Sequence, residues 1–356
     1  MLTIYPFDLP AKPDHPDWLD YLGLSRAQDH ELLGGPGWDM SPEDALLLAH
    51  RGIERNEVHR FLAREEGQAV GFGTLESNLL DEPEAPNAFV YVSPAHRGRG
   101  IGRALADALA QHLERMPAVR VRAWVMAPIA VGESIRPPSD IGAAPAGHPG
   151  IRLALAFGFT LQQIERVSRL DLAGPLVEST LAQALAESAA CAGVDYEMVT
   201  FAGAVPEELL DDVAMLYQRM STDPPQGGLT VIESSWDAAR VQAEDARLLP
   251  QFHRWRAVVR HRPSAKAVAL TELARGRENP EALVEQGDTI VLPAFRGNRL
   301  GMWVKAANLI QLRAADPSAE CVYTWNAEEN RYMLDVNEAL GFRPVLVEAA
   351  FERPLC

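Results

Sequence analysis

One motif occurs twice in this chain of 356 residues. VSPAHRGRGIG occupies residues 92–102, and VLPAFRGNRLG occupies residues 291–301. Arg97 and Arg296 are 199 positions apart (296 − 97), and the same offset pairs the first valines, the prolines, the alanines and the last glycines of the two segments. A repeat of this length indicates that a whole domain was duplicated, because solenoid repeats are much shorter.

The segments around the motif repeat as well. QAVGFGTL (68–75) aligns with KAVALTEL (266–273), and VRVRAWV (119–125) aligns with SAECVYT (318–324). Each copy then reaches a Gly-Phe pair, at Gly158 and Gly341, followed by alternating residues that predict a strand. We predict a mixed α/β (α+β) fold of two tandem domains, each a central, mostly antiparallel mixed sheet flanked by helices.

The spacing of Leu and Ala in residues 174–193 predicts a helix between the two copies. We therefore place the first domain at residues 1–172, a linker helix at 173–195 and the second domain at 196–356. The chain is long enough for both domains to bury a core of their own.

Composition excludes several partners. With 33 Lys and Arg against 49 Asp and Glu, the net charge is −16, which repels nucleic-acid phosphates and acidic membrane surfaces. This charge serves solubility or draws a cationic amine to the surface. The chain lacks a leader pattern and any apolar run of the ~20 residues that a membrane helix needs, so we expect a cytoplasmic protein, monomeric or homodimeric. Three widely spaced cysteines, Cys191, Cys321 and Cys356, argue against a disulfide framework or a metal site.

The motif has the chemistry of an anion site. Residues 89–92 predict a strand, and apolar residues at 101, 105, 109 and 113 predict a helix that starts directly after the loop. First-turn N–H groups have no partner within a helix and attract phosphate. Glycines at 98, 100 and 102 let a ligand approach, and arginines at 97, 99 and 103 supply charge, so we predict pyrophosphate binding. The alternative is a plain strand-to-helix turn.

RGRGIG (97–102) resembles the Q/R-x-x-G-x-G/A signature of the GNAT superfamily, and RGNRLG (296–301) matches it with Arg299 in place of a glycine. The two-copy arrangement is similar to that of the actinobacterial mycothiol synthase group. This resemblance concerns the domain architecture and does not indicate the substrate. The resemblance implies an N-acetyltransferase that transfers acetyl from acetyl-CoA to the primary amine of a small molecule, by direct attack within a ternary complex. A non-catalytic acetyl-CoA-binding module, and acetylation of a protein, are the alternatives.

The resemblance also implies which residues hold the coenzyme. The valine before each loop lies on a splayed strand whose backbone pairs with the pantetheine arm, and the loop and helix start take the pyrophosphate. In the first copy these residues are Val92, Arg97, Gly98, Arg99, Gly100, Ile101, Gly102 and Arg103, and in the second copy they are Val291, Arg296, Gly297, Asn298, Arg299, Leu300 and Gly301. An asparagine on the next helix, Asn326 or Asn330, adds a further contact.

For catalysis, family members often carry a glutamate eleven residues before the loop. This position is Glu285 in the second copy and Pro86 in the first. Asp288 is close to Glu285, and two neighbouring carboxylates can raise one pKa toward neutrality. The alternative is that both acids are solvated at the start of a strand, and Glu272 is a further candidate for the base.

The usual tyrosine acid is missing, because Asn337 and Ala154 hold its positions. Tyr332 can replace it if its ring turns toward the sulfur. The first copy also has a long loop at 129–147 where the second is short. We therefore expect the second copy to be catalytic and the first to be its coenzyme-binding partner.

Overall fold

The computed structural model describes residues 1–35, 37–278 and 283–355. They form two compact units. The first comprises Met1–Glu165, Gly227–Thr230 and Leu346–Cys356, and the second comprises Arg166–Gln226 and Val231–Val345.

The elements up to residue 171 are strands and helices in a mixed order. They are β1 (Leu2–Phe7), α1 (Pro16–Leu33), α2 (Pro42–Arg51), β2 (Asn56–Glu65), β3 (Gln68–Asn78), β4 (Glu82–Val92), α3 (Ile101–Leu113), β5 (Arg120–Pro128), β6 (Ser134–Ile135), β7 (Ala144–Pro145), α4 (Pro149–Ala156) and β8 (Thr160–Asp171). The boundary between the units falls inside β8, after Glu165.

The rest of the chain repeats this order. Its elements are α5 (Pro175–Ala192), β9 (Tyr196–Ala202), α6 (Leu210–Met220), α7 (Ala238–Leu248), β10 (Phe252–His261), β11 (Lys266–Gly276), β12 (Val284–Val291), α8 (Leu300–Ala315), β13 (Cys321–Ala327), α9 (Arg331–Leu340) and β14 (Arg343–Pro354).

Each unit has a mixed, mostly antiparallel sheet. In the first unit the strands follow the order β1-β2-β3-β4-β5, and the pair β4/β5, joined through α3, is parallel. In the second unit the order is β9-β10-β11-β12-β13, and the pair β12/β13, joined through α8, is parallel. The predicted fold class and the duplication are confirmed.

The C-terminal strand differs from the division that the sequence suggested. Residues Leu346–Pro354 of β14 pair antiparallel with β5, so they belong to the first unit rather than to the end of the second. An alternating pattern predicts a strand but does not say which sheet the strand joins.

The predicted connecting helix is present as α5, and it is part of a core. Leu181 and Ala184 of α5 are buried against Met302, Ala306 and Leu309 of α8. Burial of this apolar face stabilises the second unit, so α5 is more than a linker.

The core of the first unit fixes the start of α3. The four predicted apolar positions, Ile101, Leu105, Leu109 and Leu113, are at most 6% exposed. Gly73 on β3 permits this close packing, since a Cβ there would lie 3.1 Å from Leu109 Cδ1. The loop before α3 is therefore held on a rigid base. Among the described helices, none is long and apolar enough to cross a membrane.

Candidate functional site

The two loops of the repeated motif share one backbone conformation. Gly100 precedes α3 with a φ of 82°, and Arg299 precedes α8 with a φ of 55°. The N–H of Ala104 donates to the Gly100 carbonyl, and the N–H of Trp303 donates to the Arg299 carbonyl, both over 3.0 Å. In both copies the N–H groups of the helical residues that precede Ala104 and Trp303 have no partner within the helix. They point out of its N-terminal end, where they can donate hydrogen bonds to an anion.

The strand before each loop separates from its parallel neighbour. In the first unit β4 and β5 pair at Asn87 and Arg122, and each strand then continues past this pair. In the second unit the pairing ends at Gln286 and Thr324. Backbone groups beyond these pairs face a gap, where the amides of an extended ligand can bind.

This register corrects one part of the repeat alignment. Arg122 corresponds to Thr324, an offset of 202 (324 − 122), whereas the predicted offset was 199. The strand after the helix is therefore displaced by three residues, because α8 is longer than α3.

A cavity of about 350 Å³ lies at the loop of the first unit. Its wall includes Gly98, Gly100 and Gly102 of the loop, and α3 below it. Above Gly98 and Gly100 there is open space, since a Cβ at either residue would meet no atom within 4 Å. The predicted phosphate site is therefore accessible from this cavity.

The same cavity is lined from both faces of the sheet. Val90 and Val92 of β4 pack toward α3, whereas Phe89 and Tyr91 pack toward α1, and all four line the cavity. Since successive residues of a strand point to opposite faces, the cavity passes through the gap between β4 and β5. A ligand on one face can therefore meet a ligand on the other.

Arg97 holds the loop in place. Its Nε donates to the Val92 carbonyl over 2.9 Å, and its two terminal nitrogens donate to the Glu31 carboxylate over 2.6 Å each. This pairing lowers the pKa of Glu31, which also accepts from the Tyr91 hydroxyl over 3.3 Å. The guanidinium thus joins β4 to α1, whereas the sequence predicted that it binds pyrophosphate.

Arg296 repeats the first of these contacts in the second unit. Its Nε donates to the Val291 carbonyl over 3.0 Å, and its Nη2 lies 3.5 Å from Asp223. The first arginine of the motif therefore has the same structural role in both copies.

The other two loop arginines of the first unit differ from each other. Arg99 forms an ion pair of 2.7 Å with Glu65. Arg103 is exposed on the first turn of α3, and its guanidinium lies 5.8 Å from the centre of the Phe157 ring. Arg103 is the better placed of the two to reach a phosphate.

His148, which was not predicted from the sequence, lines the cavity at the N-cap of α4. Its Nδ1 is buried and has no hydrogen-bond partner among the described residues. Burial, followed by the charge of Arg97, lowers the pKa of this imidazole. At neutral pH it is therefore uncharged and able to accept a proton. The signal in the sequence is a histidine directly before Pro149, the start of a helix.

Trp124 is a second residue that the sequence analysis did not single out for the site. It lines the cavity, and its Nε1 donates to Asn87 Oδ1 over 3.3 Å, at the point where β4 and β5 separate. The indole therefore forms the wall of the gap on the α1 side.

The predicted acids lie in the second unit, half-buried on β12. Burial, followed by the charge of Glu272, raises the pKa of Asp288 to about 7, and Glu285 adds to this effect. The neighbouring carboxylate of Glu272 stays ionised because Arg254 and Arg256 bind it over 2.7 and 3.0 Å. The expected rise in a carboxyl pKa is present, with burial as its main cause.

The remaining predicted residues of the second unit have local partners. Tyr332 is 90% exposed at the start of α9. Asn330 caps α9 by accepting from the Met333 N–H over 3.3 Å. Asn326 lies on β13 rather than on a helix and accepts from Asn337 over 2.6 Å, and Asn298 donates to a carbonyl within its own loop.

Residues 24–130 match the model of the Acetyltransferase (GNAT) family. The splayed strands, the loop and the helix start described above for the first unit all lie within this matched segment. The matched segment lies within the first unit and covers less than half of the chain.

The chain is similar to proteins named mycothiol acetyltransferase. It is 38% identical to that of Streptomyces avermitilis over 128 residues, or 36% of this chain and 33% of the relative. It is 33% identical to that of Streptomyces griseus over 183 residues, or 50% of this chain and 52% of the relative. With that of Streptomyces scabiei it shares 28% identity, over 83% of this chain and 80% of the relative. The chain thus spans a third to a half of the first two relatives.

Two solved structures share the fold over nearly the whole chain. A tandem GNAT protein from the clavulanic acid biosynthesis pathway has a TM-score of 0.71 and 21% identity, covering 99% of this chain and 98% of that chain. A GCN5-related N-acetyltransferase from Sphaerobacter thermophilus has a TM-score of 0.59 and 14% identity, covering 99% and 95%. Both likenesses concern the fold.

Proposed function

We propose that this protein transfers acetyl from acetyl-CoA to the primary amine of a small molecule, by direct attack within a ternary complex, and that the coenzyme binds in the first unit. The observation that carries this proposal is the cavity that starts at the 97–103 loop and passes between β4 and β5.

The residues of the first unit fit the coenzyme. The N–H groups of Ile101, Gly102 and Arg103 face outward at the start of α3 and suit a pyrophosphate. The separated edges of β4 and β5 suit the amides of a pantetheine arm. When bound, the coenzyme supplies an acetyl thioester, which an amine can attack.

The amine would enter from the α1 face. The cavity wall on that face is formed by Phe89, Tyr91, Trp124 and Met126. Aromatic faces attract an ammonium group and also pack against an apolar body. We therefore favour an acceptor whose amine is attached to an aromatic or aliphatic body.

His148 is our candidate for the base that accepts the amine proton. It lies in the cavity wall, is uncharged at neutral pH and has a free ring nitrogen among the described residues. A base of this kind contributes about 100-fold or more to a transfer that requires a neutral amine.

The coenzyme site is tested with a matched pair of variants, Gly102→Glu and Gly301→Glu. The two glycines hold the same position in α3 and α8, and a Cβ at either lies 3.6 Å from the valine before its loop. A carboxylate at the helix start repels a pyrophosphate, so calorimetry with acetyl-CoA should show binding lost in Gly102→Glu and kept in Gly301→Glu. Absence of binding by the wild type at millimolar coenzyme would overturn the proposal.

The pKa of Asp288, raised to about 7, favours a second candidate, in which the second unit carries the chemistry with Glu285 and Asp288 as its acids and Tyr332 as its proton donor. The two candidates differ in a turnover assay of coenzyme thiol release. If the first unit is catalytic, His148→Asn lowers kcat at least about tenfold and Asp288→Asn leaves it unchanged. The reverse result would move catalysis to the second unit, and binding without turnover would indicate a coenzyme-binding module.

A further inference from the structure

The second unit has different side chains at positions that border the cavity in the first unit. Ala106 of α3 and Phe159, just before β8, both line the cavity. The offset of the motif, 199 (305 − 106), places Lys305 of α8 at the position of Ala106. The matching Gly-Phe pairs place Phe342 at the position of Phe159.

Lys305 is buried at this corresponding position. It is 1% exposed, although it is one of the largest fully buried side chains of the chain. Its Nζ lies 5.5 Å from the centre of the Phe342 ring. A long side chain thus extends from α8 to the aromatic ring whose counterpart bounds the cavity.

Asparagines replace two further cavity-lining residues in the same region, one with a larger and one with a smaller side chain. Asn337 takes the place of Ala154, and Asn326 takes the place of Trp124, both of which line the cavity in the first unit. In the second unit Asn337 is 1% exposed, and its Nδ2 donates to Asn326 Oδ1 over 2.6 Å. This bond joins α9 to β13.

Packing alone does not explain a lysine at this position. An ammonium group loses much of its hydration when it is buried, and burial lowers the pKa of Lys305 to about 7. A leucine or methionine fills a comparable volume without this cost.

We propose that Lys305 closes the coenzyme channel of the second unit, so that each chain binds one coenzyme, in the first unit. This inference rests on the proposed function. The second loop keeps the backbone of the first because it starts α8, a helix that the core requires. The channel next to that loop is filled.

The test is the stoichiometry of coenzyme A binding to the full chain, measured by calorimetry. We expect one equivalent for the wild type. Moving the lysine into the first unit, Ala106→Lys, should abolish this binding, and Ala106→Ser is the matched control that should keep it.

The reverse exchange opens the second unit. The double variant Arg299→Gly, Lys305→Ala places the first unit's residues at positions 299 and 305, and it should bind a second equivalent. Arg299→Gly alone is its control and should stay at one. This arm does not depend on the folding of Ala106→Lys.

Each other outcome counts against the inference. Two equivalents in the wild type, unchanged affinity in Ala106→Lys, a second equivalent in Arg299→Gly alone, or one equivalent in the double variant would each overturn it. No binding by the wild type would overturn the proposed function itself. This result differs from the others because neither unit would then hold coenzyme.

Discussion

Arg299 holds at the start of α8 the left-handed backbone conformation that Gly100 holds at the start of α3, with φ angles of 55° and 82°. A residue with a Cβ is strained in this conformation, and glycine is not. The duplicated loop has thus kept its shape where its sequence changed.

Arg299→Gly should therefore stabilise the second unit. Glycine relieves the strain of the left-handed conformation, but it also has more conformational freedom in the unfolded chain. The net increase in the free energy of unfolding should be about 1 kcal/mol. The ion pair of Arg299 with Glu187 spans 3.3 Å between half-exposed groups and contributes little. The urea midpoint should rise in Arg299→Gly and not in Arg299→Ala, which keeps the Cβ. An equal rise in both variants would assign the gain to the lost charge.

Arg97→Lys should weaken coenzyme binding. A lysine cannot reproduce the two parallel bonds to Glu31 together with the bond to the Val92 carbonyl, so the loop loses its fixed position. We expect acetyl-CoA affinity to fall by at least about tenfold, or ~1.4 kcal/mol. Arg296→Lys, the matched change in the second unit, should leave affinity unchanged. A larger effect of Arg296→Lys would place the coenzyme in the second unit.

The proposed base predicts a pH dependence. The pKa of His148 lies below its ordinary value of 6.5, so the imidazole is neutral above that pH and gains a proton as the pH falls. At saturating amine, kcat should decrease toward acid with an apparent pKa below about 6.5.

His148→Asn should lower kcat and remove this acid limb. His96→Asn is the control, because His96 lines the same cavity but its Nδ1 is bonded to Ser93 over 2.8 Å. An acid limb that persists in His148→Asn, or that disappears in His96→Asn, would exclude His148 as the base.

Lys305→Met should stabilise the protein more at neutral pH than at alkaline pH. The folded pKa of Lys305, about 7, lies below the unfolded value of 10.5, so between these values the unfolded chain binds more protons. Wild-type stability is therefore reduced near neutrality and recovers as pH rises toward 10.5.

The gain in Lys305→Met should be on the order of 3 kcal/mol near neutral pH and should shrink as pH rises. Denaturation of both proteins across this range provides the test. Lys266→Met is the control, because the Lys266 side chain is 63% exposed and should give little change at any pH. A gain that does not vary with pH would show that Lys305 is not desolvated.

The wall of the cavity predicts the acceptor class. Primary amines on an aromatic or aliphatic body should be acetylated faster than linear polyamines, because the α1 side presents aromatic rings. Trp124→Ala should lower kcat/KM for an aromatic amine by at least about tenfold, while Trp124→Phe keeps the ring and most of the activity. Preference for a polyamine, measured by coenzyme thiol release, would contradict this assignment.

Several parts of the site followed from local sequence. The helix start after residue 100, the buried stripe of α3, the duplication and the strand before each loop all depend on spacing that neighbouring residues determine, and the structure confirms them. Asp288 was also found this way, since two nearby acids signal a raised pKa even when their surroundings are unknown.

Other parts were beyond sequence reasoning. The Arg97–Glu31 pair joins residues 66 positions apart (97 − 31), and neither residue type indicates its partner. His148 and Trp124 reach the cavity only because α4 and β5 fold against β4. The exposure of Tyr332 could not be judged from its position in α9.

The sequence by itself determined that the chain is a duplicated mixed α/β protein with two helix-start anion loops, because glycine, periodicity and helix ends act over a few neighbouring residues. The tertiary structure places a cavity at the loop of the first unit. Whether a channel exists depends on the volume of side chains brought together from distant segments, and in the second unit one of these is Lys305, at a position that an alanine holds in the first. Volume and burial are properties of the packed chain. Local sequence, which is nearly the same in the two loops, therefore does not determine whether a channel is open beside either of them.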